Sequence, residues 1–366
     1  MTKKVMHIVS TGRLSGAEKV VSDICSNLTE DFKPIAICAG EELKKYYEEK
    51  GIETHIFNIS SLNPFEILKL KNFAKKNNID IIHGHDVKPS IAGYLASSSN
   101  IPVISHLHGT YPWLKGNGAM KKIDGFFRSK YAMNIACSNK VKDYYLTYNK
   151  KINSNKFVVK SNAFNFNEFN NIKIREKNIV KDELDIKEDD FIFGYVGRLI
   201  PLKGIDLLIN AFNDILKERD NVKLLIVGDG DERENLKIQA ERLGIRDKII
   251  FTGFKRNVYE YMNIMDCFVL SSVREGLPMV ILESIAMNIP IISTPVAGVN
   301  ELISSNEYGI VLKERNKENM VLAMKDALLN RDEFKIKASN AYKKLKEQYD
   351  IDIYIKDLEK LYKDII

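Results

Sequence analysis

The sequence predicts an α/β protein made of two doubly wound, parallel-sheet domains, and three observations carry that expectation. Short apolar runs of strand length alternate with stretches of helical period along nearly all of the 366 residues, the pattern of repeated strand–helix–strand units. The alternation breaks once, in a Lys/Asn-rich stretch from 162 to 190, and restarts at Phe191-Ile192-Phe193-Gly194-Tyr195-Val196. The length suits two domains, and a hydrophobic content of 45% is ordinary for a globular chain.

In the first half the apolar runs place strands at 5–10, 34–38, 54–57, 79–83, 102–107, 133–137 and 156–160. The stretch 162–190 reads as a linker with some polar helix. Beyond it, strands are expected at 191–196, 222–227, 248–251, 267–270, 290–293 and 309–312, and the C-terminal residues read as charged helix. The expected domains are 1–165 and 170–348, with a final helix at about 349–366 crossing back to the first. Two such sheets would face a central cleft at their strand C-terminal edges, where open α/β sheets bind ligands.

Bulk properties narrow the class. No apolar run approaches the 18 or so residues of a membrane span. Met1-Thr2-Lys3-Lys4 leads directly into a short strand ending near Gly12-Arg13, so no secretory signal is expected. Cys25, Cys38, Cys137 and Cys267 are scattered in apolar contexts with no C-x-x-C pair, as in a reduced cytoplasmic protein, and no metal site is expected on them. The net charge of +6 hides an asymmetry: residues 1–165 hold 24 Lys and Arg against 14 Asp and Glu, the rest 31 against 35. A basic first half suits an anionic surface. No nucleic-acid motif accompanies it, so nucleic acid is not an expected partner.

The most informative segment is Ser271-Ser272-Val273-Arg274-Glu275-Gly276-Leu277-Pro278-Met279-Val280-Ile281-Leu282-Glu283. It follows a buried strand, turns at Gly276 and Pro278, and opens an apolar helix whose first N–H groups could hold a diphosphate. Read as helix throughout, the eight steps from Glu275 to Glu283 span roughly 12 Å. Two carboxylates so placed could hold hydroxyls at the two ends of a sugar-nucleotide, and Glu283 in an apolar helix is costly to bury unpaired. Gly197-Arg198-Leu199-Ile200-Pro201-Leu202-Lys203-Gly204 sets an Arg fork and a Lys point charge in a loop, a pair that can clamp a diphosphate. Leu224-Leu225-Ile226-Val227-Gly228-Asp229-Gly230 ends a strand in a Gly-rich turn, but the dinucleotide fingerprint is incomplete because position 233 is Arg.

In the first half, Thr11-Gly12-Arg13-Leu14-Ser15-Gly16-Ala17-Glu18 joins strand one to a helix, with Gly16 permitting close backbone approach and Glu18 and Lys19 read as surface charges. Two of the expected strands end in His83-Gly84-His85-Asp86 and His106-Leu107-His108-Gly109. A histidine near a strand end is usually structural; two strands delivering histidines to one edge are better explained by a site. A metal held by the four is the less favoured reading.

These motifs, in this order, resemble retaining glycosyltransferase family 4, the glycosyl transferases group 1 with the GT-B fold. The E-G-L-P-x-x-x-x-E run is similar to the family's E-x7-E motif, G-R-L-x-x-x-K-G to its diphosphate clamp, and 11–18 to its G-G-A-E loop, with Ser15 in place of the first glycine. The resemblance implies two Rossmann-like domains: an acceptor domain at 1–165 and a donor domain at 170–348. It implies that Glu275 orients the donor sugar, Glu283 holds the ribose, Arg198 and Lys203 neutralise the leaving diphosphate, and His108 faces the sugar and acceptor. Gly16, Gly197, Gly228, Phe254, Gly276, Leu277, Met279 and Val280 would line the donor, with Arg13 and His85 elsewhere in the cleft. The expected reaction is a retaining, metal-independent transfer of a hexose from a UDP- or GDP-sugar to a hydroxyl of a glycan or lipid-linked acceptor, in polysaccharide or glycolipid biosynthesis, with no cofactor. The alternatives are a nucleotide-sugar epimerase on the same fold and a non-catalytic sugar-nucleotide-binding partner subunit.

Two segments suit docking at the cytoplasmic membrane face: a helix at 64–76 with apolar 65, 68 and 73 among lysines, and a basic-aromatic stretch at 113–130 that includes Lys121, Lys122, Arg128 and Lys130. The expected location is cytoplasmic, peripheral on an anionic membrane. The sequence names neither the sugar nor the acceptor.

Overall fold

The computed structural model describes residues 2–97, 101–149 and 152–366, and the chain divides into two compact units, Met1–Asn165 with Tyr349–Ile366, and Phe166–Gln348. The first unit holds β1 (Lys3–Ile8), β2 (Phe32–Cys38), β3 (Glu53–Ile56), β4 (Ile81–His85), β5 (Val103–Leu107), β6 (Met133–Ala136) and β7 (Phe157–Val159). They form one parallel sheet in the order β3-β2-β1-β4-β5-β6-β7. Crossover helices cover both faces, which is why the strands read as continuous apolar runs rather than alternating ones. Met6, Ile8, Ile35, Ile37 and Ile82 pack with Leu70, Ala92 and Tyr131 in the core on one side of the sheet. Val9, Ala36 and Cys38 pack with Val21, Leu43 and Tyr47 in a second cluster.

The second unit repeats the plan with β8 (Phe191–Val196), β9 (Val222–Val227), β10 (Ile249–Gly253), β11 (Cys267–Leu270), β12 (Ile291–Ser293) and β13 (Ile310–Val311), ordered β10-β9-β8-β11-β12-β13 and parallel throughout. All six residues of β8 are buried, and Ile205, Leu208, Ile209 and Phe212 of the helix Ile205–Leu216 press onto the same core. In each sheet the winding direction reverses at one place, between β1 and β4 and between β8 and β11. Loops leaving the two strands at a reversal point diverge, and the opening between them is where such sheets accept ligands.

The Lys/Asn-rich stretch is not a free linker. Its helices Phe166–Asn170 and Lys177–Glu183 belong to the second unit. Arg175 pins the stretch there by donating to Glu183 at 2.6 Å and Glu260 at 2.9 Å. The helix Ile351–Ile365 completes the first unit. It enters beside the end of that unit's chain, where the Phe164 N–H donates to the Tyr349 carbonyl at 2.7 Å and the Ile351 N–H to the Phe164 carbonyl at 3.0 Å. Farther along, Glu359 accepts the Thr29 N–H at 2.7 Å and the Tyr362 hydroxyl meets His83 Nδ1 at 2.7 Å.

The two basic segments differ from their sequence reading. In the helix Pro64–Lys76 the buried face is Ile67, Leu70 and Ala74, the i, i+3, i+7 set. Phe65 and Leu68 stand in solvent at 76% and 56% exposure, while Phe73 packs against the core. In the helix Ala119–Arg128, Ile123 and Phe126 are exposed, but Arg128 is fully buried and is not part of a surface patch. Its guanidinium grips both Asp124 oxygens, at 3.0 and 2.5 Å, and donates to Ser105 Oγ and Asn134 Oδ1. Asp124 and Arg128, one turn apart on a helix, were a pairable couple that the surface reading overlooked. No helix among the described residues is long and apolar enough to cross a membrane.

Candidate active site

The second unit gathers its predicted residues at the β8/β11 reversal point. The loop after β8 carries Gly197, the exposed Arg198 and, in the short 3-10 turn Pro201–Lys203, the lysine. The loop after β11 carries Ser271, Ser272 and Glu275. Lys203 Nζ donates to Glu275 Oε1 at 2.6 Å, and Ser272 Oγ donates to the same oxygen at 2.7 Å. Both charged side chains are largely withdrawn from water, at 20% and 13% exposure. The loops are stitched together beneath this pair: Ser271 Oγ donates to the Lys203 carbonyl at 2.9 Å, the Val273 N–H to the Leu202 carbonyl at 2.9 Å, and Arg315 Nε to the Ser271 carbonyl at 3.0 Å. Burial pushes up the pKa of the Tyr195 hydroxyl, on the strand that leads into Gly197, with Glu275 adding to the rise and Arg198 opposing it.

Below the charges the backbones of two glycine turns touch. Gly228, at φ +142°, lies so close to Gly197 that a Cβ there would sit 1.9 Å from the Gly197 carbonyl oxygen. The Gly228 N–H donates to the Gly253 carbonyl at 3.0 Å, bringing the end of β10 to the same edge, with Phe254 beyond it 69% exposed.

The helix after the second loop runs from Met279 to Ala286, with Pro278 as its N-cap residue rather than inside it. Glu275 to Pro278 are therefore turn, and the helical rise applies only from Met279. Gly276, Leu277 and Met279 are buried and Val280 is half-buried. Glu283 is 7% exposed, with the Tyr259 hydroxyl at 3.5 Å from its Oε1.

In the first unit the helix Gly16–Asn27 starts with Gly16 exposed. The close backbone approach is made by Gly12, where a Cβ would meet Gly40 Cα at 2.8 Å. Arg13 is exposed. Glu18 is not a surface charge: it is 4% exposed and accepts from Thr11 Oγ1 at 2.7 Å and from Ser15 Oγ. Ser15-x-x-Glu18 is a capping-box signature, so the sequence did carry the signal. Here the glutamate tethers the hydroxyls of the loop.

At the β1/β4 reversal point lies a stack of five imidazoles: His7 of β1, His83 and His85 of β4, His106 of β5 and His108 just after it. His85 bridges two of them, with Nε2 3.1 Å from His7 Nδ1 and Nδ1 3.0 Å from His108 Nε2. Burial drives every ring towards the neutral form, His7 to about 3 and His83, His85 and His106 well below the usual value, while Asp86 and Glu18 partly offset the fall at His108. His7 was missed in the sequence, because a single histidine in an apolar strand carries no pattern until β1 is known to pair with β4 at His7↔His83. Asp86 holds φ +72°, an uncommon conformation for a residue with a Cβ, and its Oδ1 accepts the His108 N–H at 3.0 Å.

Comparison with known proteins follows this division. The family profile described as "Glycosyltransferase Family 4" matches residues 14–167, and "Glycosyl transferases group 1" matches residues 176–348. The chain is a family 4 glycosyltransferase with the GT-B fold. The transferase is 26% identical over 338 residues to N-acetyl-alpha-D-glucosaminyl L-malate synthase of Bacillus anthracis, covering 88% of this chain and 84% of that one. It is 24% identical over 393 residues to UDP-Gal:alpha-D-GlcNAc-diphosphoundecaprenol alpha-1,3-galactosyltransferase of Escherichia coli, covering 99% and 97%. Among solved structures it resembles Anabaena Alr3699/HepE in complex with UDP and glucose, at a TM-score of 0.87 and 20% identity over 99% of each chain. At that identity the likeness concerns the fold of the transferase.

Proposed function

We propose that the transferase moves a hexose, with retention of configuration, from a UDP- or GDP-sugar to a hydroxyl of a glycan or lipid-linked acceptor in polysaccharide or glycolipid assembly. The observation that carries the reading is the Lys203–Glu275 pair at the β8/β11 reversal point, fixed by Ser272 and largely withdrawn from water. Without donor, Glu275 neutralises Lys203 and keeps the long lysine stem in one place. With donor, Lys203 and Arg198 take the diphosphate and Glu275 turns to the sugar. Fixed positive charge next to a bond that breaks to give a diphosphate is worth most in such a water-poor setting.

The C1–O bond to the diphosphate breaks as the acceptor oxygen bonds C1 on the same face. The acceptor proton passes to the leaving phosphate oxygen, so neither a separate base nor a metal is required. Glu283, behind the first turn of its helix, holds the ribose hydroxyls, and His108 faces the sugar. The UDP and UDP-sugar named for the structural and sequence relatives support a nucleotide-sugar donor, and the diphosphoundecaprenol of the Escherichia coli relative supports a lipid-linked acceptor. Phe65, Leu68, Ile123 and Phe126, exposed among lysines, suit weak peripheral binding to an anionic cytoplasmic membrane face.

The deciding experiment is nucleotide release from a panel of UDP- and GDP-sugars by wild type and Glu275→Ala, with and without membrane lipid extract and with EDTA. Release from one donor, raised by extract, retained in EDTA and lost in the variant, is expected. Equal turnover by Glu275→Ala, or conversion of the donor to an epimer with no acceptor present, would overturn the proposal.

A further inference from the structure

The five-imidazole stack holds more nitrogen lone pairs than its hydrogen bonds use. Among the described residues neither nitrogen of His106 has a partner, although the residue is fully buried, and His108 Nδ1 is unpartnered too. A buried polar nitrogen left unpaired costs about 1–3 kcal/mol, so a buried imidazole with neither nitrogen paired calls for an occupant. One nitrogen from each of His85, His106 and His108 lies within 4.8 Å of the other two. We propose that His85, His106 and His108 form a site for one divalent transition-metal ion of the zinc class, with an open position for water.

The topology builds this site. Residues two apart in an extended segment project to the same face, so His106 and His108 align, and the parallel register sets His85 directly beside His106. The 3.0 Å between His85 Nδ1 and His108 Nε2 is close to the edge of a tetrahedron of zinc–nitrogen bonds, about 3.3 Å for bonds of 2.0–2.1 Å. His7 supplies the outer support: it meets the other nitrogen of His85 at 3.1 Å, the contact that fixes the orientation of a ligating imidazole.

A second triad, His7, His83 and His85, also converges, but all three of its rings are fully buried. At His108 the Asp86 carboxylate accepts the backbone N–H at 3.0 Å and the ring is only partly covered, so a dication there finds negative charge and a way in. If His108 faces the donor sugar, as the transfer reading has it, occupancy withdraws that ring and the ion inhibits.

The test uses the full chain without affinity-tag histidines, stripped with a chelator and titrated with cobalt(II) near pH 7.5. The expected result is a set of visible d–d bands of tetrahedral cobalt, saturating at a single equivalent and displaced by zinc. His106→Ala should abolish them, with His106→Asn as the volume-conserving check should the alanine variant fail to fold. His7→Asn should weaken binding by about 10–100-fold, and His55→Ala, beside Glu53 on another part of the sheet, should change nothing. No bands from folded wild type, or full bands in His106→Asn, would overturn the proposal and leave the stack held by shared protons alone. Because the spectrum needs no donor or turnover, the metal site and the transfer reaction stand or fall separately.

Discussion

Replacing Arg128 by methionine removes the cation that pairs with Asp124 inside the first unit. Arg128 and Asp124 are 0% and 1% exposed, and the guanidinium also satisfies Ser105 and Asn134. Deleting one member of a buried pair leaves the other charge stranded, at about 3–5 kcal/mol. With a urea slope of about 2 kcal/mol per molar, that lowers the unfolding midpoint by roughly 2 M. The readout is built in: Trp113 is the single tryptophan of the chain and sits in the 3-10 turn Pro112–Lys115 of that unit, so its emission reports this unit's unfolding. Asp124→Leu, which strands the Arg128 charge in turn, is expected to cost a similar amount. The double variant Arg128→Met/Asp124→Leu should cost clearly less than the two singles together, because no unpaired charge remains. A single-variant shift below about 0.5 M, or strict additivity in the cycle, would refute the description of a desolvated, mutually dependent pair.

Acid should act on the same unit. A histidine whose folded pKa is depressed is neutral in both states above its unfolded value near 6.5. Below that value the unfolded chain takes up the proton first, so stability is lost as pH falls. For His7, held at about 3, the loss at pH 5 is about 2 kcal/mol. The Trp113 urea midpoint should therefore fall steeply between pH 7 and 5, and less steeply in His7→Asn; a flat profile would contradict neutral buried rings. Lys203→Met should lower kcat by about 100–1000-fold with little change in donor KM, as expected for charge used on the leaving group; an effect confined to KM would point to ground-state binding only. Gly228→Ala should leave the second unit poorly folded, seen as lost soluble yield and a lowered melting temperature, since its Cβ would fall 1.9 Å from a carbonyl oxygen. Phe65→Asp/Phe126→Asp should reduce co-sedimentation with anionic vesicles at low salt more than tenfold, each ring being worth roughly 1.5–3 kcal/mol if buried in lipid; unchanged binding would remove the helix faces from any docking role.

The sheets were legible because a parallel strand covered on both faces must be apolar throughout. Phe191 to Val196 and Cys267 to Leu270 could be read directly, and each of the expected strands has its counterpart within a few residues. Features set by which face of an element turns inward were harder. Arg128 looked like a surface lysine's neighbour until Asp124, Ser105 and Asn134 enclosed it. Phe73 and Phe65 occupy equally apolar positions, yet only the first faces the core, since the helix phase is set by Ile67, Leu70 and Ala74. Within the candidate site, it was the resemblance to family 4, and not spacing, that suggested Lys203 and Glu275 act together. Strand pairing was needed to add His7 to the histidines, and helix-start geometry to bury Glu18.

The helix Ile351–Ile365 also sets the order in which the protein can be made. Thr29, His83 and Asp31 find their partners at Glu359, Tyr362 and Lys363, so the first unit to leave the ribosome is the last to be finished. All of Phe166–Gln348 must be synthesised in between, a wait of roughly 10–40 s at 5–20 residues per second. During that interval the second unit can fold to completion while the first keeps an uncovered apolar flank. A chaperone that shields nascent chains should therefore be found on the earlier half, and released only after the C-terminal helix emerges.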